Sequence, residues 1–524
     1  MVNIFKKINL DAFKDLVKNA KVIKNPAKIF LILSLLFGSL FIIFTPPGFN
    51  DDEPTHYIRV QQIANGQIFN DLKPYPVGVD DTRSDQNRLI GYGPIDINAN
   101  NFINSFKFGQ SYTMPFDKNL MLPQKYHSQA VLDITSGQAT PNSPLTYAPL
   151  VAGTLIGKFF GLSLLNEFML AKFLQLILCS CLIFLAIKII PRGRWVLLAI
   201  SILPMTLIQL TAYSHDGLTY SIAVILFAWV YKIIYYQEQI TLKNAAILSS
   251  LTIALGCMKM TYLPVAALVL IIGFVNKNWH NIKSWLINIS SILVSSFICL
   301  YLISKTDKAN PDITITDVPV SPELQKEAIL HNPIRFFKAI TNSIFFQSYN
   351  YSAPNSDTYL HSRQQLTAFG AILSERVLLQ PWFMLASIIG IILAIIITIS
   401  KNNNNSFFDS SIISSSNNFE NSYINKFVAK KSKLFIYARY LIPAICLALI
   451  YISLYLSISV PGETYVWGAQ TRYWLPFLPL LLIPQYCQIN LDQKIVNNLK
   501  TSLFWINIAV LADTVYTIHK AVIL

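Results

Sequence analysis

Apolar runs about as long as a bilayer is thick recur along this chain, beginning with IFLILSLLFGSLFIIFT at 29–45. A helix needs about 20 such residues to cross hydrocarbon, and its backbone polar groups must all be satisfied within the segment. Further runs read at roughly 146–161, 168–190, 194–211, 217–236, 244–258, 260–275, 284–304, 377–400, 434–459, 473–487 and 502–522. Only 13% of the residues are charged and 53% are hydrophobic, against roughly 25% charged for an ordinary soluble domain. A soluble globular protein is excluded. The expected class is an all-α integral membrane protein with about 11–13 transmembrane helices.

The net charge of +14 raises the question of nucleic acid, and the placement of the charges answers it. Seven Lys against two Asp occupy residues 1–28, and such an excess marks a cytoplasmic flank. The loops at 188–194, 276–283 and 401–433 are also basic. The stretch 46–145 carries ten acidic and seven basic side chains, and 305–375 carries seven and six, so both belong outside. Strict alternation from an inside N-terminus conflicts with this pattern unless 146–190 crosses once, with 146–161 a partial or re-entrant helix. Trp and Tyr gather near run ends, where they anchor to the interface. No base-stacking pattern is present, and no nucleic-acid partner is expected.

The resulting organisation is a basic cytoplasmic interfacial segment at 1–28, a membrane core at 29–490 and a C-terminal loop and last helix at 491–524. The core holds a first exterior loop at 46–145, a second at 305–375, and a cytoplasmic loop at 401–433 whose Asn/Ser-rich stretch 402–425 reads as a disordered linker. Residues 4–24 place apolar side chains at helical spacing among their Lys, as an interfacial helix would. All six Cys fall in apolar runs or at their ends, where they read as small packing hydrophobes.

Ionisable groups near membrane level are costly and usually functional. The richest cluster follows the first crossing, in TPPGFNDDEPTHYIRVQQIAN at 45–65. Pro46, Pro47 and Gly48 end the membrane helix, and the acids and Pro54 have the character of a new helix start. Asp52, His56 and Arg59 then share one face, and Tyr57, Val60, Ile63 and Ala64 form an apolar stripe. The expectation is a membrane-parallel helix with its polar face turned to a cavity. His215 and Asp216 in AYSHDGLTYS, Lys259 between two apolar runs, Arg472 in WGAQTRYWLP, and Glu375 with Arg376 fall at the same outer face. Singly, each reads equally as a helix-end or snorkelling charge. Together they define one polar site, in which cations would stabilise a departing phosphate and a carboxylate would deprotonate an attacking hydroxyl.

Four segments carry a resemblance: TPPGFNDDEPTHYIR, LPMTLIQLTAYSHDGLTYS, MKMTYLP and WGAQTRYWLP, in that order along the chain. The sequence resembles a large family of bacterial predicted membrane proteins catalogued as a domain of unknown function, over roughly residues 28–490. That family in turn is similar to the C-type (GT-C) glycosyltransferases, multi-pass enzymes with an acidic motif in the first exterior loop and polyprenyl-phosphate sugar donors. The resemblance implies Asp52 as catalytic base and Glu53 as a helper or metal ligand. His56, Arg59, His215, Asp216, Lys259 and Arg472 are the substrate-binding candidates, and the positive charge of Lys259 and Arg472, rather than the resemblance, makes them the candidate partners of the donor phosphate. Gly48, Phe49, Asn50 and Asp51 stand as an insertion between the Pro pair and the Asp-Glu pair.

The function expected is therefore an inverting glycosyltransferase of the bacterial cytoplasmic membrane, with its N-terminus inside, using a polyprenyl-phosphate sugar donor. Its acceptor would be a cell-envelope glycan or lipid. No tightly bound ion is expected; a weak site for Mg or Mn would draw on Asp51, Asp52 and Glu53. A transporter or flippase of lipid-linked sugars, and a catalytically silent assembly scaffold, are the competing readings. The absence of internal repeats favours the enzyme over the transporter.

Overall fold

The computed structural model describes residues 25–48, 50, 52–74, 89–105, 127, 130–136, 139, 142–236, 238, 240–275, 282–306, 322–345, 349–351, 360–362, 372–374, 377–378, 381–401, 432–457, 459, 462–466, 468–484 and 488–523. The N-terminal interfacial segment, the Asn/Ser linker, Asp51, Glu375 and Arg376 lie outside them.

The first crossing helix, α1 (Pro26–Phe44), starts on an Asn25 side chain that accepts from the Lys28 amide, with Pro26 at its first turn. It stops where Pro46 and Pro47 were expected to stop it. A short helix α2 (Glu53–Ala64) follows. An antiparallel sheet of β1 (Asp71–Pro74), β2 (Leu89–Asp96) and β3 (Val131–Thr135), with α3 (Ile97–Ser105) between its second and third strands, completes the regular structure described in the first exterior loop. The chain re-enters through α4 (Ala148–Phe159) and α5 (Leu164–Ile189), then α6 (Arg194–Ser201), α7 (Pro204–Thr211), α8 (Asp216–Tyr236) and α9 (Leu242–Met258). A 3-10 segment at Met260–Ala266 leads into α10 (Ala267–Val275) and α11 (Ile282–Thr306). The second loop holds α12 (Pro322–His331), α13 (Pro333–Phe345) and two small hairpins, Tyr349–Tyr351 with Leu360–Ser362 and Ile372–Ser374 with Val377–Leu378. Then come α14 (Pro381–Ile399), α15 (Ser432–Ser457), a 3-10 segment at Thr471–Phe477, α16 (Leu478–Leu482) and α17 (Gln493–Ile523).

The chain is thus an all-α integral membrane protein. Among the described residues, α1, α5, α8, α14, α15 and α17 are long and apolar enough to cross a bilayer. Of the remaining apolar runs, 284–304 forms the continuous α11, while the others fold as broken or shorter pieces, with proline the recurring reason. The run 194–211 is two helices, α6 and α7, bent by 66° where Leu203 turns extended ahead of Pro204. Runs 260–275 and 473–487 both open as 3-10 turns around Pro264 and Pro476. Non-helical backbone of this kind at membrane depth is tolerated where protein or a watery cavity satisfies it.

The 12-residue α4 is about 18 Å long, too short to cross, as the charge pattern demanded of 146–161. It lies against α5 across two glycines four residues apart. A Cβ on Gly153 would stand 2.4 Å from the Ala171 Cα, and one on Gly157 2.7 Å from the Glu167 Cγ. Small residues at this spacing let two helices approach to backbone contact. Gly153→Val is expected to lower the thermal midpoint in detergent by the equivalent of about 1–3 kcal/mol, the usual cost of overpacking. Gly390→Ala in α14, where the nearest atom to a new Cβ is 3.5 Å away, is the matched control and should be neutral or stabilising.

One difference from expectation concerns α2. Its apolar stripe does not face lipid. Tyr57 and Val60 are completely buried, in a cluster with Phe102, Phe168 and Tyr213 supplied by α3, α5 and the turn before α8. Its polar residues are buried too: Gln62 donates to the Gly93 and Ile134 carbonyls of the sheet. The helix is inserted between the membrane helices and the exterior layer, because aromatic partners from three other elements cover the stripe that would otherwise seek a bilayer.

Candidate functional site

Apart from His56, which lies in the first turn of α2, the polar residues that meet in this site stand at interruptions of helices. Asp52 is the residue before α2 and has a left-handed backbone, φ +59°, the one non-glycine among the described residues with positive φ. Asp is among the few side chains that tolerate this region, at a cost of order 1 kcal/mol. His215 and Asp216 lie at the start of α8. They are held close to the preceding helix because Gly217 presses on the Gln209 carbonyl, where a Cβ would come within 2.3 Å. Lys259 is extended, φ −155°, between α9 and its 3-10 continuation. Arg472 occupies the second position of the other 3-10 segment.

Tertiary structure brings these interruptions together. Arg472 Nη2 donates to Asp52 Oδ2 at 3.3 Å, across 420 residues of sequence. Its Nε lies 3.1 Å from Asp216 Oδ2, so one guanidinium bridges two carboxylates. The Asp52 side chain is 37% exposed and that of Asp216 16%, which makes Asp52 the more accessible oxygen pair. The Lys259 ammonium sits 3.8 Å from the centroid of the Tyr473 ring, and the Arg472 guanidinium 5.8 Å from the same ring. Two cations and two carboxylates thus balance around one tyrosine.

His56 and His215 stand beside this cluster with ring centroids 5.2 Å apart. His215 Nε2 is 3.6 Å from Asp216 Oδ1, yet burial outweighs that carboxylate and pushes the imidazole down to about 3, so the contact is not an ion pair at neutral pH. Its Nδ1 is buried without a hydrogen-bond partner among the described residues. His56 is also pushed below its ordinary value, by burial first, against the pull of Asp52 and Asp216. The Tyr147 hydroxyl receives the Asn142 amide at 3.0 Å and lies 2.7 Å from His56 Nδ1. It is left to give its own proton to Nδ1, which selects the neutral imidazole with hydrogen on Nε2. His56 can then donate into the site.

Two of the residues expected in the site are engaged elsewhere. Glu53 is fully buried: its Oε1 accepts from Asn50 Nδ2 at 3.1 Å, Lys172 Nζ at 3.2 Å and the Tyr213 amide at 2.9 Å. It ties the Asp52 turn to α5 and to the segment carrying His215. Arg59 is buried on the α2–β1 turn, donating to the Gln67 and Ile68 carbonyls and to Asn70 Oδ1. Its expected place beside His56 is not the one its guanidinium takes, because a turn with two unmatched carbonyls lies within its reach. Among the described residues no group of three or more His, Cys, Asp or Glu could hold a metal ion, and the Glu53 oxygens already have donors.

Sequence reasoning missed Tyr147, Tyr473 and Lys172, and also a second buried cluster on the far side of α2. There His127 Nε2 lies 2.7 Å from Glu167 Oε2, Gln61 Nε2 donates to Glu167 Oε1 at 2.7 Å, and Asp96 Oδ2 is 3.6 Å from His127 Nδ1. Lys172 and Glu167 were legible as charges inside the run 168–190 or just before it, and that was the signal available.

What these features define as a class is a multi-span membrane protein with a charge-balanced polar site built from helix breaks at one end of its bundle. The chain belongs to the DUF2142 family, described as predicted membrane proteins, whose model matches residues 35–481. No curated protein and no solved structure matches it.

Proposed function

We propose that this protein is a membrane glycosyltransferase that moves a sugar from a polyprenyl-phosphate donor to an envelope glycan or lipid at the outer face of the cytoplasmic membrane. The observation that carries the reading is the Arg472 bridge between Asp52 and Asp216 beside Lys259. It offers a base and two cations within one polar site.

In the reaction, Asp52 takes the proton of an acceptor hydroxyl while that oxygen forms a bond to the anomeric carbon. The bond between that carbon and the donor phosphate oxygen breaks, and its electron pair leaves with the polyprenyl phosphate. Arg472 and Lys259 stabilise the charge that grows on that phosphate. Asp216 holds Arg472 in place, and His56 donates to a sugar hydroxyl. Attack opposite the leaving group inverts the anomeric centre.

The outward orientation draws on charge. Lys28, Lys188, Arg192, Arg194, Lys232, Lys401 and Lys494 cluster at helix ends away from the site, as the positive-inside rule asks of a cytoplasmic face.

The test is purified full-length protein in proteoliposomes with a radiolabelled polyprenyl-phosphate sugar and a cell-envelope lipid extract. Label should appear in a new glycosidic product with release of polyprenyl phosphate. Movement of the intact donor across the bilayer without a new bond would establish a transporter instead, and neither outcome would leave a scaffold.

A pH profile gives a second check. Burial pulls the Lys259 ammonium down to about 8, so its charge is complete at lower pH and is lost as pH rises through about 8. The donor is a phosphodiester whose charge is constant over this range. Donor kcat/KM, which reports the free enzyme, should therefore fall above pH 8. Lys259→Arg, which stays charged, should remove that limb. An unchanged alkaline limb in the variant would take Lys259 out of the phosphate site.

A further inference from the structure

The hairpin α12–α13 has an apolar surface that the protein does not cover. Leu330 on the last turn of α12 is 82% exposed, and Ile334 and Phe337 on α13 are 78% and 67% exposed. The opposite face of α13 is packed: Phe336 and Ala339 are buried with Tyr451, Tyr455, Val466 and Ala469. Arg335 and Lys338 occupy the remaining third of the helix surface, and the segment 332–345 has no carboxylate. A helix with one face on protein, one apolar face open and a cationic strip between them fits a position at a bilayer surface.

Depth along α15 decides what covers the open face. Leu434, Tyr437, Leu441, Ile445 and Leu449 form an exposed apolar stripe along that helix, the surface a crossing helix turns to lipid. From Leu434 to Tyr455 the helix rises about 32 Å at 1.5 Å per residue, close to the roughly 30 Å of a hydrocarbon core. The Phe336 ring lies 5.2 Å from that of Tyr455, so α13 packs at the level where hydrocarbon gives way to headgroups.

We propose that α12–α13 is an interfacial foot seated in the leaflet at the site end of the bundle, with Leu330, Ile334 and Phe337 among acyl chains and Arg335 and Lys338 against anionic headgroups. The hairpin is bonded to the segment that leads to Arg472. Gly462 N donates to Gln325 Oε1 at 2.8 Å, Asn342 Nδ2 to the Thr464 carbonyl at 3.1 Å, and Val466 N to Ser343 Oγ at 2.7 Å. Lipid that seats the foot therefore also steadies the approach to the site. The proposal does not depend on sugar transfer.

Nitroxide labels test it, introduced singly as Ile334→Cys, Phe337→Cys, Arg335→Cys and Lys338→Cys in a full-length background whose native Cys are replaced. The protein is placed in vesicles of phosphatidylcholine and phosphatidylglycerol, and label collisions are measured with dissolved oxygen, which partitions into acyl chains, and with a water-soluble nickel chelate. Positions 334 and 337 should collide several-fold more with oxygen than with nickel, and positions 335 and 338 should show the reverse preference. Nickel collisions dominating at 334 and 337 would place the face in water and overturn the proposal. Shelter from both reagents with spin–spin broadening would assign the face to a second copy and overturn it equally. All four positions are exposed, and native-like thermal unfolding of each labelled protein qualifies it for the comparison.

Discussion

Asp52→Asn should reduce sugar transfer by about 10²–10⁴-fold, the range for removing a general base, while the protein folds and inserts as before. The substitution suits the question because Asn keeps the shape of the side chain and tolerates the left-handed backbone that residue 52 adopts. It leaves no buried charge unpaired, since Arg472 retains Asp216 at 3.1 Å and the residue 52 side chain is partly open to solvent. A base acts on the acceptor proton only as the transition state forms, so kcat and kcat/KM should fall together with little change in donor KM. Thermal unfolding of the variant, measured beside its activity, separates lost chemistry from lost structure. Transfer within a few-fold of the parent would remove Asp52 from the role of base.

The second large effect is on stability. Lys172→Met removes the ammonium opposite a Glu53 carboxylate that is completely shielded from water. Breaking a buried pair by deleting one partner costs about 3–5 kcal/mol, because the other charge remains uncompensated. The double variant Glu53→Gln with Lys172→Met leaves a neutral amide in place of that carboxylate and should recover most of the loss, since replacing both charges of a buried pair is often close to neutral. Unfolding midpoints of the parent, the two single variants and the double variant form a cycle whose interaction term is the quantity of interest. Simple additivity would mean that the two side chains do not depend on each other. Glu53 also accepts from the Tyr213 amide two residues before His215, so its loss should loosen the site as well as the fold.

Much of the architecture was legible from hydropathy and charge. The end of α1 at its Pro pair, the start of α2, the shortness of α4 and the helix break at Lys259 all follow from local rules about proline, caps and apolar length, whereas 194–211, read as one run, is bent by 66° ahead of Pro204. The packing role of Cys179, Cys257 and Cys446, each buried, was legible in the same way, whereas Cys181, two residues on from Cys179, is exposed. The fate of α2 was not. Its periodicity showed a stripe of apolar side chains but could not say whether lipid or Phe102, Phe168 and Tyr213 would cover it, because those partners are 40 to 160 residues away in the chain. The lipid-facing character expected there is found instead on α13, whose own pattern carries an open apolar face beside Arg335 and Lys338.

The site divides along the same line. Local sequence determined that Asp52, His215, Asp216, Lys259 and Arg472 would stand at helix interruptions near one membrane face, and four ordered motifs pointed to the family. Only tertiary structure decided that Arg472 spans Asp52 and Asp216, that Tyr473 carries the second cation, and that Glu53 and Arg59 turn away into the scaffold. Spacing along a helix sets the face on which a charge lies, whereas the partner that neutralises it is chosen by which distant backbone or side chain reaches it first in a medium where no charge can be left alone.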